Sequence, residues 1–246
     1  MTNLRVALVS GANRGLGLET SRQLADQNIT VLMGARDGSA GRLAADRLQS
    51  MGLPAEAVLL DVTRADHIAT VKDTIETRYG RLDILVNNAG MLHPEERSTN
   101  NSSDRVSLQA LRETFEVNFF GQVALTQALL PLIKLSPNGR IVNVSSILGS
   151  LTLQSDRRSK ATQIKPLAYD ASKTALNQFT IHLAAMLADT SIKINAAHPG
   201  WVKTGIGSQR APMNVADGAR TAVKLATLDP DGPTGKFFHM DEEIPW

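Results

Sequence analysis

Tyr169 and Lys173, in the run Tyr169-Asp170-Ala171-Ser172-Lys173, stand four residues apart. On a helix that spacing puts a phenol and an ammonium on one face. Free tyrosine titrates near 10, so acid–base work near neutrality calls for a shift of about 3 units, roughly 4 kcal/mol. A lysine charge about 4 Å from the phenol, at an effective dielectric of about 20, is worth about 4 kcal/mol. The pair could therefore pass a proton to or from an oxygen. Tyr169 could equally be a half-buried helix residue with a snorkelling neighbour. The spacing alone is weak, and its surroundings decide.

Other residues of chemical interest sit at the ends of apolar runs. The run Leu4–Ser10 breaks into GANRGLG, where Gly11, Gly15 and Gly17 let the backbone approach a pyrophosphate at the N-terminus of the next helix. The following run ends at Arg36, where a dinucleotide site meets the adenosine ribose. An NAD site would carry an acid there. Here Arg36, with Arg14 in the glycine turn, could clamp a 2′-phosphate, which argues for NADP(H). Asp37 is adjacent and could face the ribose instead. Asp61-Val62 follows the third run, and Asp61 could accept from an adenine amino group, cap the next helix, or both. Asn87-Asn88-Ala89-Gly90 ends the fourth run with small residues on which a cofactor could lie, and the Asn87 amide could tie neighbouring strands together. Ser145-Ser146 ends the fifth run. Asn118 falls in mid-helix, where asparagine is unfavourable unless it faces water or has a task. Its neighbours Phe115, Val117, Phe119 and Phe120 favour burial and a task.

The elements that must carry these residues alternate. Strands are expected at 4–10, 29–36, 55–60, 82–90, 139–146 and from about 191, with a last short one at 235–239. Helices are expected at 16–27, 40–51, 64–79, 108–134, 167–188 and 215–227. Helices separating every pair of strands imply an α/β protein with a single doubly wound parallel sheet of about seven strands, a Rossmann fold in one domain over 1–246. Residues 92–106 lack periodicity and read as an exposed loop; 150–166 reads as a second, with 155–165 as a polar, basic surface excursion.

The chain has 246 residues, 42% hydrophobic, with 26 basic and 24 acidic side chains and no cysteine. That length supports one large core. The charges are spread, so no nucleic-acid footprint stands out. Without cysteine there are no disulfides, thiolate metal sites or thiol nucleophile, and no metal is expected. Arg5 interrupts the first apolar run, and no stretch approaches 18 apolar residues, so a cytoplasmic protein with no membrane partner is expected.

Together these residues resemble the short-chain dehydrogenase/reductase family. The resemblance rests on SGANRGLG, Asp61-Val62, NNAG at 87–90, the set Asn118, Ser146, Tyr169 and Lys173, and HPGWVKT at 198–204, all in the family's order. NRGLG, HPGWVKT and the tail GPTGKFFHMDEEIPW resemble its carbonyl-reductase branch. The resemblance implies that Tyr169 donates a proton to a carbonyl oxygen while NADPH delivers hydride to its carbon. Lys173 would lower the phenol's pKa and hold the nicotinamide ribose, and Ser146 would bind the substrate oxygen, with Ser145 structural. Asn118 would hold, through its helix backbone, a water leading from Lys173 to solvent. Gly11, Asn13, Arg14, Gly15, Leu16, Gly17, Arg36, Asp61, Val62, Asn88, Ala89 and Gly90 would line the cofactor site. Pro199, Gly200, Val202 and Thr204 would close over the nicotinamide.

The implied function is reversible reduction of a ketone or aldehyde, a small-molecule substrate. A 3-oxoacyl-carrier reductase, with Arg157, Arg158 and Lys160 as a basic entry, and a non-catalytic NADP(H) sensor are the alternatives. Two departures from the family pattern stand out. Ser10 replaces threonine, and 22 residues separate Ser146 from Tyr169, more than in common members. In monomeric relatives a longer insert covers a dimerisation face, so the choice between monomer and homo-oligomer stays open.

Overall fold

The computed structural model describes residues 4–97, 102–159, 161 and 165–246. Its centre is β1 (Val6–Ser10), buried along its whole length. A central parallel strand is covered on both faces, so it reads as a continuous apolar run. Ala7 and Val9 enter one core cluster and Val6 and Leu8 the other, as the two-residue period of a strand requires.

From β1 the chain winds outward through α1 (Gly15–Ala25), β2 (Thr30–Ala35), α2 (Gly38–Gln49) and β3 (Ala55–Leu59), then returns by α3 (Ala65–Tyr79) to β4 (Ile84–Asn87) on β1's other side. There follow α4 (Leu108–Phe115), α5 (Gly121–Ile133), β5 (Arg140–Val144), α6 (Leu151–Ser155), α7 (Leu167–Met186), β6 (Lys193–Ala197), α8 (Val215–Ala226), β7 (Lys236–His239) and β8 (Glu242–Glu243). The strand order is β3-β2-β1-β4-β5-β6-β7-β8. The order reverses between β1 and β4, and the crevice at the carboxyl ends there is where such sheets bind ligands. One core cluster includes Leu24 of α1, Ala44 of α2 and Val223 of α8; the other includes Ile75 of α3, Leu129 of α5 and Leu183 of α7.

Four expectations need correction. The sheet has eight strands, because Glu242–Glu243 pairs antiparallel with β7, a piece too short to leave a periodic signal. The helix expected at 108–134 runs without a break from Leu108 to Ile133 but is not α throughout, since Glu116–Phe120 winds as a π turn between α4 and α5. The stretch 92–106 is not simply an exposed loop: Pro94–Arg97 forms a 3-10 turn in which Glu96 is buried, although 98–101 lie outside the described residues. Within 150–166, α6 forms and is tied to the chain's last residues. The Ser150 hydroxyl donates to the Pro245 carbonyl at 2.7 Å, the Thr152 N–H donates to the Trp246 carbonyl at 2.9 Å, and Trp246 stacks on Phe237. Arg157 and Arg158 are exposed, and Arg158 pairs with Asp156; Lys160 lies outside the described residues.

Candidate active site

The glycine turn leaves β1 through Gly11 (φ +65°) and enters α1 through Gly15 (φ +56°), conformations that favour glycine. A Cβ on Gly17 would come within 2.3 Å of the Gly11 carbonyl, so the turn folds closely on itself. Asn88 fixes it from the neighbouring strand end, its amide donating to the carbonyls of Ser10 at 2.8 Å and Gly11 at 3.2 Å. Ser10 is the hub on the other side. Its hydroxyl accepts from the N–H groups of Asn88 and Ala89, both at 3.0 Å. In the sequence Ser10 differs from the family's threonine yet keeps the hydroxyl, and that hydroxyl is what the turn uses.

Helix α1 begins without a capping side chain and without an acid in its first turn. Its first N–H groups and positive dipole end therefore suit an anion. Arg14 opens this helix and Arg36 leaves β2, two exits set side by side by the Ser10–Gly34 pairing. Among the described residues neither guanidinium makes an ion pair. Asp37, the alternative ribose ligand, spends its carboxylate capping α2, accepting from Ser39 N–H at 2.9 Å and Ala40 N–H at 3.0 Å.

Asp61 does not cap α3, whose first residue is preceded by Arg64. Its Oδ1 instead accepts from the Thr63 N–H at 3.0 Å and hydroxyl at 2.8 Å. Burial pushes this carboxyl up, but the two Thr63 bonds and the Arg36 charge outweigh it and hold the group below its ordinary value. Next to it, Val62 packs against Gly121, where a Cβ would come within 2.8 Å of the Val62 side chain and carbonyl.

Asn87 joins strands as expected, donating to Asn143 Oδ1 and Thr126 Oγ1, both at 2.8 Å. Asn118, fully buried within the π turn, is held at both ends of its amide by Met91: Oδ1 accepts from the Met91 N–H at 2.8 Å and Nδ2 donates to its carbonyl at 2.9 Å. Nδ2 also donates to Ser172 Oγ at 3.1 Å, which brings α7 into the cluster. At Gly90 a Cβ would lie 3.4 Å from Asn118 Oδ1 and 3.6 Å from Lys173 Nζ.

The two serines separate cleanly. Ser145 donates to Asn177 Oδ1 at 2.6 Å, deep in the packing of α7. Ser146 opens the turn Ile147–Gly149, its hydroxyl accepting from the Leu148 N–H at 3.2 Å, and lies near enough to the Tyr169 phenol to pull its pKa down. Lys173 is only 4% exposed and donates from Nζ to the Val144 carbonyl at 2.8 Å. Burial pushes the Tyr169 phenol up to about 12, against the lowering influence of Ser146, and pushes Lys173 down to about 8.

Beyond β6, Gly200 (φ +87°) turns the chain between Met213 and His239, and Val202 bridges Met213. Thr204 reaches back over the glycine turn, its methyl 3.6 Å from where a Cβ on Gly15 would sit. Leu16, Asn88, Val144 and Pro199 line a common recess. Asn13 makes no side-chain hydrogen bond among the described residues, and Arg14 and Arg36 touch none of the other expected site residues through a hydrogen bond. His198 was singled out only as part of a motif. It is a strut: Nδ1 accepts from Ile147 N–H at 3.3 Å and Gly200 N–H at 3.4 Å, and burial, with His239 alongside, pushes its pKa down to about 3. The neutral ring thus joins the Ser146 turn to the Pro199–Gly200 turn.

A doubly wound sheet with these groups gathered at its carboxyl edge defines a Rossmann-type protein. The short chain dehydrogenase family profile matches residues 5–215, and the chain belongs to that family. It is 35% identical to the (-)-isopiperitenone reductase of Mentha piperita, with 98% of each chain covered. It is 34% identical to carbonyl reductase (NADPH) 1 of Homo sapiens, over 100% of this chain and 99% of that one. The crystal structure of NADPH-bound carbonyl reductase from chicken fatty liver superposes with a TM-score of 0.84 at 26% identity, covering 99% of both chains. Among the described residues no helix is long and apolar enough to cross a membrane, and no group of three or more metal-ligating side chains occurs.

Proposed function

We propose that this protein is an NADPH-dependent carbonyl reductase, reversibly an alcohol dehydrogenase, acting on a small ketone or aldehyde in the cytoplasm. The observation that carries the reading is the buried Lys173 ammonium lying 5.7 Å from the Tyr169 ring centroid and bonded to the Val144 carbonyl, where Val144 shares a recess with Leu16 of the uncapped helix α1. The names of the relatives point the same way.

The residues present fit NADP(H). The uncapped start of α1 suits a pyrophosphate, Arg14 and Arg36, which form no ion pair among the described residues, suit a 2′-phosphate, and the carboxylate that would favour NAD is committed to α2. Bound there, NADPH supplies the hydride. Ser146 donates a hydrogen bond to the substrate oxygen and sets the carbonyl within reach of Tyr169. As the carbon gains hydride, the phenolic O–H bond breaks and its proton passes to the oxygen, giving the alcohol. A phenol held near 12 is fully protonated at neutral pH, the state a donor needs, and the nascent alkoxide is a stronger base than the phenolate. Lys173, positively charged below about 8, stabilises the phenolate, and Asn118 holds the π turn from which reprotonation reaches it.

The deciding experiment measures NADPH oxidation with a panel of cyclic, aromatic and aliphatic ketones. Tyr169→Phe should lower kcat about 10²- to 10⁴-fold, the range of general acid catalysis, with NADPH affinity retained. Full turnover in Tyr169→Phe would remove the mechanism, and NADPH binding without turnover on any ketone would favour a sensor.

A further inference from the structure

The 3-10 turn Pro94–Arg97 is a junction. His93 meets Glu113 of α4 at 3.2 Å, Glu95 accepts from the Ser107 hydroxyl at 3.1 Å, and Arg97 donates to the Gly205 carbonyl at 2.8 Å. Glu96, 4% exposed, makes the most consequential of these ties. Its Oε1 accepts from the Ala168 N–H at 2.7 Å and its Oε2 from the Tyr169 N–H at 3.0 Å.

Helix α7 starts after Pro166, which offers no side-chain cap. Counting from Pro166, Ala168 and Tyr169 are the second and third helical residues, whose N–H groups an N-cap side chain would satisfy in cis. Glu96 supplies that cap from 72 residues away. A buried carboxylate is costly unless hydrogen-bonded, and these two N–H groups at the positive end of the helix dipole offset that cost. The charge is felt next door: burial first, then Glu96, pushes Asp170 up to about 8.

We infer that Glu96 is a positioning residue, fixing the first turn of α7, and so the Tyr169 phenol, against the chain segment that follows β4. This rests on Tyr169 being the proton donor. Through Arg97 the same turn holds the segment after β6, so the acid and two flanking segments stand in one fixed relation. Misplacement by about 1 Å can cost 10²-fold in rate.

The test uses the full chain with NADPH and the ketone it reduces fastest. Glu96→Ala should lower kcat about 10- to 100-fold, leaving NADPH affinity, read by nicotinamide fluorescence, unchanged. Glu96→Gln, which keeps an acceptor oxygen, should recover most of that loss. Adding Pro166→Asp to Glu96→Ala gives the helix a cap of its own and should restore Tm but not kcat, because the tie to the segment after β4 stays cut. Parent kcat in a folded Glu96→Ala, or recovery of kcat together with Tm in the double variant, would overturn the inference. Should Glu96→Ala fail to fold, Glu96→Asp, which withdraws the carboxylate by one methylene, should be slower than Glu96→Gln; equal rates overturn it. Tyr169→Phe is run in parallel: turnover there defeats the reading of the site, whereas an inactive Tyr169→Phe beside unaffected Glu96 variants defeats only this inference.

Discussion

The Lys173 ammonium lies 5.7 Å from the centroid of the Tyr169 ring and bonds the Val144 carbonyl. The helical spacing brings the two together, but the charge sits over the ring and does not dominate the phenol's titration. Burial does, and it carries the phenol up to about 12, opposite to the lowering expected from the sequence. Lys173 is itself pushed down to about 8 by burial. In carbonyl reduction the phenol must be protonated and Lys173 charged. Both hold below about pH 8, so kcat/KM should be level there and fall as pH rises through Lys173's titration. Alcohol oxidation needs the phenolate and should rise with pH. A reduction rate that climbs between pH 7 and 9 would contradict this.

Asp170 sets a pH dependence of stability. Its Oδ2 accepts from Gln154 at 3.0 Å, its Oδ1 is buried without a partner among the described residues, and its pKa is raised from 3.8 to about 8 by burial and Glu96. The folded protein therefore keeps a proton that the unfolded chain has already released. That contribution is complete below about pH 4 and is lost as pH rises through 8. Asp170→Asn has no proton to lose. Its Tm relative to the parent should improve steadily from pH 5 to pH 9, as thermal melts across that range will show.

Arg36 bears on cofactor choice. A charge-assisted hydrogen bond is worth about 1.5–3 kcal/mol, so Arg36→Ala should weaken NADPH about 10- to 100-fold and leave NADH little changed. Arg14→Ala should act in the same direction. Fluorescence titrations with both cofactors check the ratio, and equal losses for NADPH and NADH would mean the arginines do not read a phosphate.

What could be read from the sequence was what local spacing encodes. The glycine turn, Arg36 and the Tyr169–Lys173 pair each need a few residues at fixed offsets, and each stands where expected. The placement of Asp61 was legible too, but not its task, because a strand-end acid can cap a helix or close a turn on Thr63 with the same spacing. The π turn at Glu116–Phe120 adds a residue to a helical turn without altering composition, and only the misfit of Asn118 hinted at it. Glu96 could not be found at all: its partners are 72 and 73 residues on, and one glutamate in a polar stretch carries no periodicity. His198 likewise reaches Ile147 across 51 residues and ties it to Gly200.

Gly149 gives a further prediction from packing alone. It follows Ser146 in the turn that faces α7, and a Cβ there would lie 2.8 Å from the Lys173 carbonyl carbon and 2.9 Å from the Lys173 Cβ. The first is helix backbone and the second is the side-chain carbon fixed directly to it, so neither can swing aside as a flexible side-chain end would. Gly149→Ala should cost about 1–3 kcal/mol in stability, as overpacking does, and should lower kcat because the turn bearing Ser146 must move off Lys173. Gly52 is the control: its φ is +78° with open space around the added carbon, and it lies between α2 and β3, at the amino end of the strand whose carboxyl end leads to Asp61. Gly52→Ala should lower Tm through backbone strain yet keep the parent kcat. Comparing the two by melting and by steady-state turnover separates a loss of stability from a displaced site.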